Sequence, residues 1–239
     1  TIYSMKRNIL LNPGPATTTD SVKEALMVPD ICPREQEFGE LTQDVLKKIV
    51  QVVNGVSTHA AIIFTGSGTA GVEAALSSVV PPDGKILILD NGAYGKRAET
   101  IVQAYGIQCR THRMVWGDYP DVDDVEEIFK EDRELTHFVF VHHETTTGML
   151  NPLPELLQLC QKYEVDSIVD AMSSYAGLPI DMSELPIDYL ISSSNKCIQG
   201  MAGTSFVIAN KEKLIKTAGI TPRNLYLNLW GNHSYIEKT

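Results

Sequence analysis

The chain predicts an α/β fold: a mainly parallel sheet sandwiched between helices. Two observations carry this expectation. Short apolar runs, the length of buried strands, alternate with segments whose apolar residues recur at helical spacing. Polar residues then cluster where the runs end, the edge at which such sheets bind ligands.

The elements follow in order. Asp20–Val53 holds two helical segments, after an extended lead-in, Asn8–Pro15 (NILLNPGP), that has no helical period. Ala60–Thr65 reads as a strand and ends in Gly66-Ser67-Gly68; Thr69–Val80 is a helix stopped by Pro81-Pro82-Asp83-Gly84. Lys85–Leu89 is a buried strand, Lys96–Tyr105 a helix ended by Gly106, and Ile107–Arg113 a strand. Asp121–Lys130 is a helix whose Asp121, Asp123 and Asp124 sit where an N-terminus favours anions. His137–His142 is a strand, Pro154–Lys162 a helix and Val165–Asp170 a strand; Ile187–Ser192 and Thr204–Ala209 are two more strands. From Lys211 the pattern changes to a short helix and then a polar, aromatic stretch, Thr221–Thr239. The polar candidates at strand ends are Ser67, Asn91, Glu144, Asp170 and Lys196.

Composition narrows the function classes. A length of 239 residues with 43% hydrophobic content suffices for one large core. A net charge of −10 repels nucleic acid and anionic lipid, so neither is an expected partner. No run of about eighteen apolar residues exists, so no membrane helix is expected. The start of the chain has no apolar signal core, which places the expectation in the cytoplasm. Cys32, Cys109, Cys160 and Cys197 share no C-x-x-C spacing and read as reduced, separate thiols. His142-His143-Glu144 has no third ligand at metal spacing, and neighbours on a strand face opposite ways; no metal is expected.

Gly66-Ser67-Gly68-Thr69-Ala70-Gly71 satisfies G-x-G-x-x-G between a strand and a helix, and Asp90 ends the next strand. That is formally a dinucleotide fingerprint. Its physics is more general, because unpaired N–H groups and the helix dipole bind any phosphate. Ser67 and Thr69 add hydroxyl donors suited to a monophosphate. The plain alternative is a tight turn with no ligand.

Lys196 decides between these readings. It follows an apolar strand and a run of small hydroxyl residues, and Asp170 ends another apolar strand upstream. Pyridoxal phosphate (PLP) needs an amine for its aldehyde, a carboxylate for its pyridine nitrogen, a phosphate cradle and a flat group against its ring. Lys196, Asp170, Ser67-Gly68-Thr69 and Tyr94 supply these four. Asparagine at 170 would leave the ring nitrogen neutral. The bland readings are a surface lysine, an aspartate capping a turn, a packing tyrosine and, for Cys197, a small buried residue.

The phrases LNPGP, GSGT, DNGAYG, HHETTTGMLNP, VDAMSSYAG and ISSSNKCIQG occur in this order over nearly the whole chain. In this the chain resembles the class V, fold type I PLP-dependent aminotransferases, most of all their branch acting on 2-aminoethylphosphonate and pyruvate. The resemblance implies a fold type I large domain over 20–210, preceded by an extended segment, 1–19. It makes 211–239 the start of a small C-terminal domain, whose substrate-carboxylate arginine lies further on. It implies Lys196 as the cofactor lysine and Asp170 as the pyridinium partner. Ser67, Gly68 and Thr69, with Asn195, would hold the phosphate; Tyr94 would stack on the ring and Thr146 would bond the phenolic oxygen. Gly14, in the Asn12–Pro15 segment, and Arg34 would face the substrate. It implies a homodimer with its site at the interface. The activity implied is transamination giving phosphonoacetaldehyde and alanine. The alternatives are a related enzyme using an amino acid and glyoxylate, or another aminophosphonate. From a different class, a non-catalytic phosphate- or nucleotide-binding domain stays open.

Overall fold

The structure, a computed structural model, describes residues 8–237. The expected segments 1–19 and 211–239 therefore reach beyond the described residues at 1–7 and 238–239. The elements in order are α1 (Asp20–Glu24), α2 (Gln36–Val52), β1 (His59–Thr65), α3 (Gly68–Val79), β2 (Lys85–Asp90), α4 (Ala93–Ala104) and β3 (Gln108–Arg113). They continue with α5 (Val122–Glu131), β4 (Leu135–Val141), β5 (His143–Glu144), β6 (Met149–Leu150), α6 (Leu153–Tyr163), β7 (Asp166–Asp170), β8 (Tyr189–Ser193), β9 (Thr204–Asn210), α7 (Lys211–Lys216) and α8 (Leu229–Ile236).

Seven strands form one sheet in the order β1-β9-β8-β7-β4-β2-β3. The pairs β3/β2, β2/β4, β4/β7 and β7/β8 are parallel, and β9 alone runs against its neighbours β8 and β1. Strands β1, β2, β4, β7 and β8 thus finish at one edge of the sheet, and β9 begins there. This is the mainly parallel sheet that the sequence predicts.

The side-chain period of two divides the core. Leu87 and Leu89 of β2 join Phe138, Phe140, Val169 and Leu190 beneath α2, α5 and α6. Ile86 and Ile88 point the other way, with Val139, Ile168, Ile191 and Val207, beneath α3 and α4. Leu214 of α7 and Leu229 of α8 are buried in this second cluster. Each fully buried aliphatic side chain contributes about 1.5–3 kcal/mol of hydrophobic stabilisation.

Three details depart from the sequence reading. Helix α4 starts at Ala93, a turn earlier than Lys96, because groups across the chain cap it: the Ala93 and Tyr94 N–H groups donate to Thr146 Oγ1 (3.1 Å) and Glu144 Oε2 (3.2 Å). The strand read as reaching His142 leaves the sheet after Val141. His143–Glu144 instead pairs antiparallel with Met149–Leu150 in a small ribbon. Within the polar, aromatic stretch after Thr221, Asn228 caps α8 by accepting from the Gly231 N–H.

Gly95 holds α4 against β2. A Cβ there would lie 2.5 Å from the Leu89 carbonyl oxygen and 2.9 Å from Asp90 Cα, both backbone atoms that cannot turn aside. Gly95→Ala should therefore lower stability by about 1–3 kcal/mol, a fall in Tm of roughly 2–12 °C. A melting curve checks this; an unchanged Tm would mean that the two backbones are not in contact.

Candidate active site

A cavity of about 340 Å³ opens at the edge where the parallel strands end, a volume within the range of roughly 300–1,000 Å³ usual for small-molecule sites. Pro15, Ser67, Gly68, Thr69, Tyr94, Asp170, Asn195 and Lys196 line it. One space thus gathers residues that lie far apart in the chain, most of those singled out in the sequence among them.

The phosphate end is the start of α3. Ser67 occupies the N-cap in extended backbone (φ −69°, ψ 170°), and its side chain makes no capping bond. The Gly68 and Thr69 N–H groups are therefore left for a ligand, while the Ala70 N–H donates to the Ser67 carbonyl at 2.8 Å, and the helix dipole favours an anion there. Gly68 allows close approach, since a Cβ would meet Met172 Sδ at 2.7 Å. Beside this cradle, Ser193 lines the cavity with a buried hydroxyl that has no partner among the described residues. An orphaned donor beside an uncapped helix start fits a phosphate.

Asp170 sits at the end of β7, 6% exposed. Its Oδ1 accepts from the Met172 N–H at 3.0 Å. Burial pushes its carboxyl up to about 6; the Glu144 carboxylate acts in the same direction, while the Met172 N–H, Arg97 and Lys196 oppose it. A buried carboxylate of this kind favours a cationic partner, and a protonated pyridine nitrogen supplies one.

Lys196 follows β8 through Ser194 and Asn195. Among the described residues its Nζ makes no hydrogen bond or salt bridge. Gly14 packs against it: φ is +154°, and a Cβ there would lie 2.4 Å from Lys196 Cδ and 3.0 Å from Nζ. Only glycine combines that backbone with that approach. The Ala16 N–H donates to the Asn195 carbonyl at 2.9 Å, tying the N-terminal segment to the lysine loop.

Some expected residues lie elsewhere. Thr146 is exposed and turned away from the cavity: its hydroxyl donates to Glu144 Oε1 at 2.6 Å and accepts from the Ala93 N–H. Its neighbour Thr145 lines the cavity instead, with Oγ1 2.5 Å from Ser173 Oγ. Both residues lie in the turn between β5 and β6, where the bonds to Glu144 and the Ala93 N–H hold the Thr146 side chain. Arg34 is exposed, and the cavity lining does not include it. Asn91 and Glu144 brace the site: Asn91 donates to Asn151 Oδ1 (2.8 Å), and Glu144 holds the start of α4. Cys197 is exposed, not buried. Asp90, the acidic residue of the dinucleotide reading, is 1% exposed and accepts from Arg113 Nε at 3.1 Å, so it has no access to a ribose.

Sequence reasoning missed Thr145, His143, Ser193 and Arg97 in the lining. Ser193 stood in view within the Ser192-Ser193-Ser194 run. Arg97 lies three residues after Tyr94, a helical spacing visible only once α4 begins at Ala93.

An uncapped helix start, a dry carboxylate and a lysine unpaired among the described residues meet around one cavity on a mainly parallel sheet, a set that fits the needs of PLP on a fold type I scaffold. The chain belongs to the class V aminotransferases, whose family pattern it matches over residues 26–224. It is 40% identical over 231 residues to a 2-aminoethylphosphonate--pyruvate transaminase of Pseudomonas fluorescens (strain Pf0-1), covering 97% of this chain and 62% of that protein. It is 43% identical to a bifunctional phosphonoacetaldehyde hydrolase/aminoethylphosphonate transaminase of Clostridioides difficile (strain 630), covering 96% of this chain and 36% of that protein. Alanine--glyoxylate aminotransferase from Nostoc sp. superposes with a TM-score of 0.89 at 26% identity, covering 99% of this chain and 63% of that one. Pyridoxamine-pyruvate aminotransferase from Mesorhizobium loti superposes at 0.85 and 24% identity, covering 95% and 60%, a likeness of fold. The chain spans about 62% of the length of the Pseudomonas relative. The cofactor of the family is PLP, and the residues present fit it.

The burial of Asp170 has a pH signature in the cofactor-free protein. The folded chain holds this proton more tightly than the unfolded chain, whose carboxyl titrates near 3.8. Stability from this group is therefore full below pH 4 and falls as pH rises to about 6, by on the order of 3 kcal/mol. Asp170→Asn removes the titration, so without cofactor its Tm advantage over the parent should grow between pH 4 and pH 7. A constant difference across that range would show that Asp170 is not dry.

Proposed function

We propose that the protein is a PLP-dependent aminotransferase that moves the amino group of 2-aminoethylphosphonate to pyruvate, forming phosphonoacetaldehyde and alanine. The observation that carries the catalytic reading is the convergence of Lys196, Asp170 and the α3 start on one cavity. The names of the relatives at 40–43% identity support the choice of substrates.

When bound, PLP supplies an aldehyde that condenses with amines and a ring that accepts electron density from the neighbouring carbon. The protein's part is positioning and proton transfer. Ser67, Gly68, Thr69, Ser193 and Asn195 hold the phosphate at the helix start. Tyr94 gives the ring a flat wall, and Thr145, in place of Thr146, offers a hydroxyl from the ribbon side. Asp170 keeps a proton on the pyridine nitrogen. Lys196 Nζ takes the proton from the substrate carbon that bears the amine, as a general base. Gly14 holds the segment 12–16 over the lysine and so borders the substrate side; Arg34, outside the cavity lining, has no assigned part.

We also infer a homodimer in the cytoplasm, with the active site near the interface. Leu26, Met27, Val28, Phe38 and Leu41 are exposed, an amount of surface apolar area that a partner copy would cover. The acidic charge and four free cysteines suit a reducing compartment. Among the described residues no helix is long and apolar enough to cross a membrane.

Purified protein with PLP should consume 2-aminoethylphosphonate in the presence of pyruvate, and Lys196→Ala should lower that rate by about 10²–10⁴ or more. Wild-type turnover in the lysine variant would overturn the catalytic assignment. Turnover of alanine with glyoxylate, and none of 2-aminoethylphosphonate, would overturn the substrate assignment and leave the class standing.

A further inference from the structure

We propose that Arg97 is the counter-cation for the cofactor phosphate in this site, and that it clamps the phosphate cradle to the ring wall. The proposal rests on the PLP reading above and goes beyond it, because the cradle as described holds only neutral donors.

Among the described residues two lysine or arginine side chains line the cavity, Lys196 and Arg97. Lys196 is committed to the aldehyde and so is not free to serve as the standing counter-charge of the phosphate. The hydroxyls of Ser67, Thr69 and Ser193 and the first N–H groups of α3 can bond a phosphate but carry no full charge, while a phosphate monoester brings about −1.5 to −2 at neutral pH. Arg97 stands one hydrogen bond from the cradle: its Nη1 donates to Thr69 Oγ1 at 3.3 Å. Its guanidinium also lies over the Tyr94 ring, with Cζ 4.8 Å from the centroid. That is cation–π range, made by two residues on successive turns of α4. Arg97 therefore bridges the starts of α3 and α4, the two helices that supply cradle and wall.

The neighbouring charges strengthen the case. Lys96 and Arg113 both pair with Glu99, and Arg113 also holds Asp90. Arg97 has no carboxylate partner among the described residues. Its positive charge is free at the rim of a cavity built for an anion, where a planar fork of donors suits phosphate oxygens.

The test compares two probes, PLP and pyridoxal, which differ only in the phosphate. Each is titrated into cofactor-free protein and followed by its visible absorbance. Arg97→Met should weaken PLP about tenfold or more and change pyridoxal far less, so that the preference for PLP collapses. Arg97→Lys should recover part of it, since the charge remains and the fork is lost. A melting curve on each variant, with Arg97→Gln as a second neutral replacement, separates loss of the charge from loss of the fold. An unchanged ratio of the two affinities in Arg97→Met and Arg97→Gln would overturn the proposal. Equal weakening of both probes would overturn it too, since a disturbed Tyr94 wall would suffice. If the parent protein takes up neither probe, the cofactor reading itself fails.

Discussion

A carboxylate held dry at the end of β7 sets the terms for everything around it. Asp170 is almost fully buried, and among the described residues the Met172 N–H alone donates to it. That burial disfavours its charge, as its raised carboxyl records. Such a group is stable as an anion only opposite a cation, and the cavity brings cations from two sides: Arg97 and Lys196. A protonated pyridine nitrogen, as proposed for the cofactor, would meet the same need. The electrostatics of the cavity and the chemistry proposed for it are thus one problem with one solution.

Strand direction makes that solution geometrically possible. With β1, β2, β4, β7 and β8 all ending at one edge, Asp170, the α3 start and the Lys196 loop reach a common space without any long excursion of chain. The reversed strand β9 adds its own beginning, so Ala202 and Gly203 complete the wall. Close approach does the rest. Gly95 against the β2 backbone, and Gly14 at φ +154° against Lys196, bring chain segments nearer than a side chain would permit, and Gly68 leaves room for Met172. The Glu144–Thr146 turn caps α4 and thereby aims Tyr94 and Arg97.

Much of this was legible in the sequence, for definite reasons. Apolar runs and helical spacing reveal strands and helices because burial acts on them locally, so Lys85–Leu89 and Pro154–Lys162 were found within a residue or so. Asp170 and Lys196 were legible because charged groups at the ends of apolar strands demand an explanation. What escaped depends on long-range contacts. The true start of α4 is set by Glu144 and Thr146, some fifty residues away, and with it went Arg97. Which of Thr145 and Thr146 lines the cavity is set by the turn that joins β5 to β6 and by the bonds of Thr146 to Glu144 and Ala93, which no spacing rule reports. The reversal of β9 likewise follows from its pairing with β1 and β8 and leaves no mark on its own residues.

The central claim is that one lysine, Lys196, takes the cofactor in this cavity. Borohydride reduction of the protein loaded with PLP, followed by peptide mapping, tests it most directly by fixing the cofactor to the amine that holds it. The account predicts a single phosphopyridoxyl label, on Lys196. A label on any other lysine, or labels scattered over several surface lysines with none on Lys196, would contradict it.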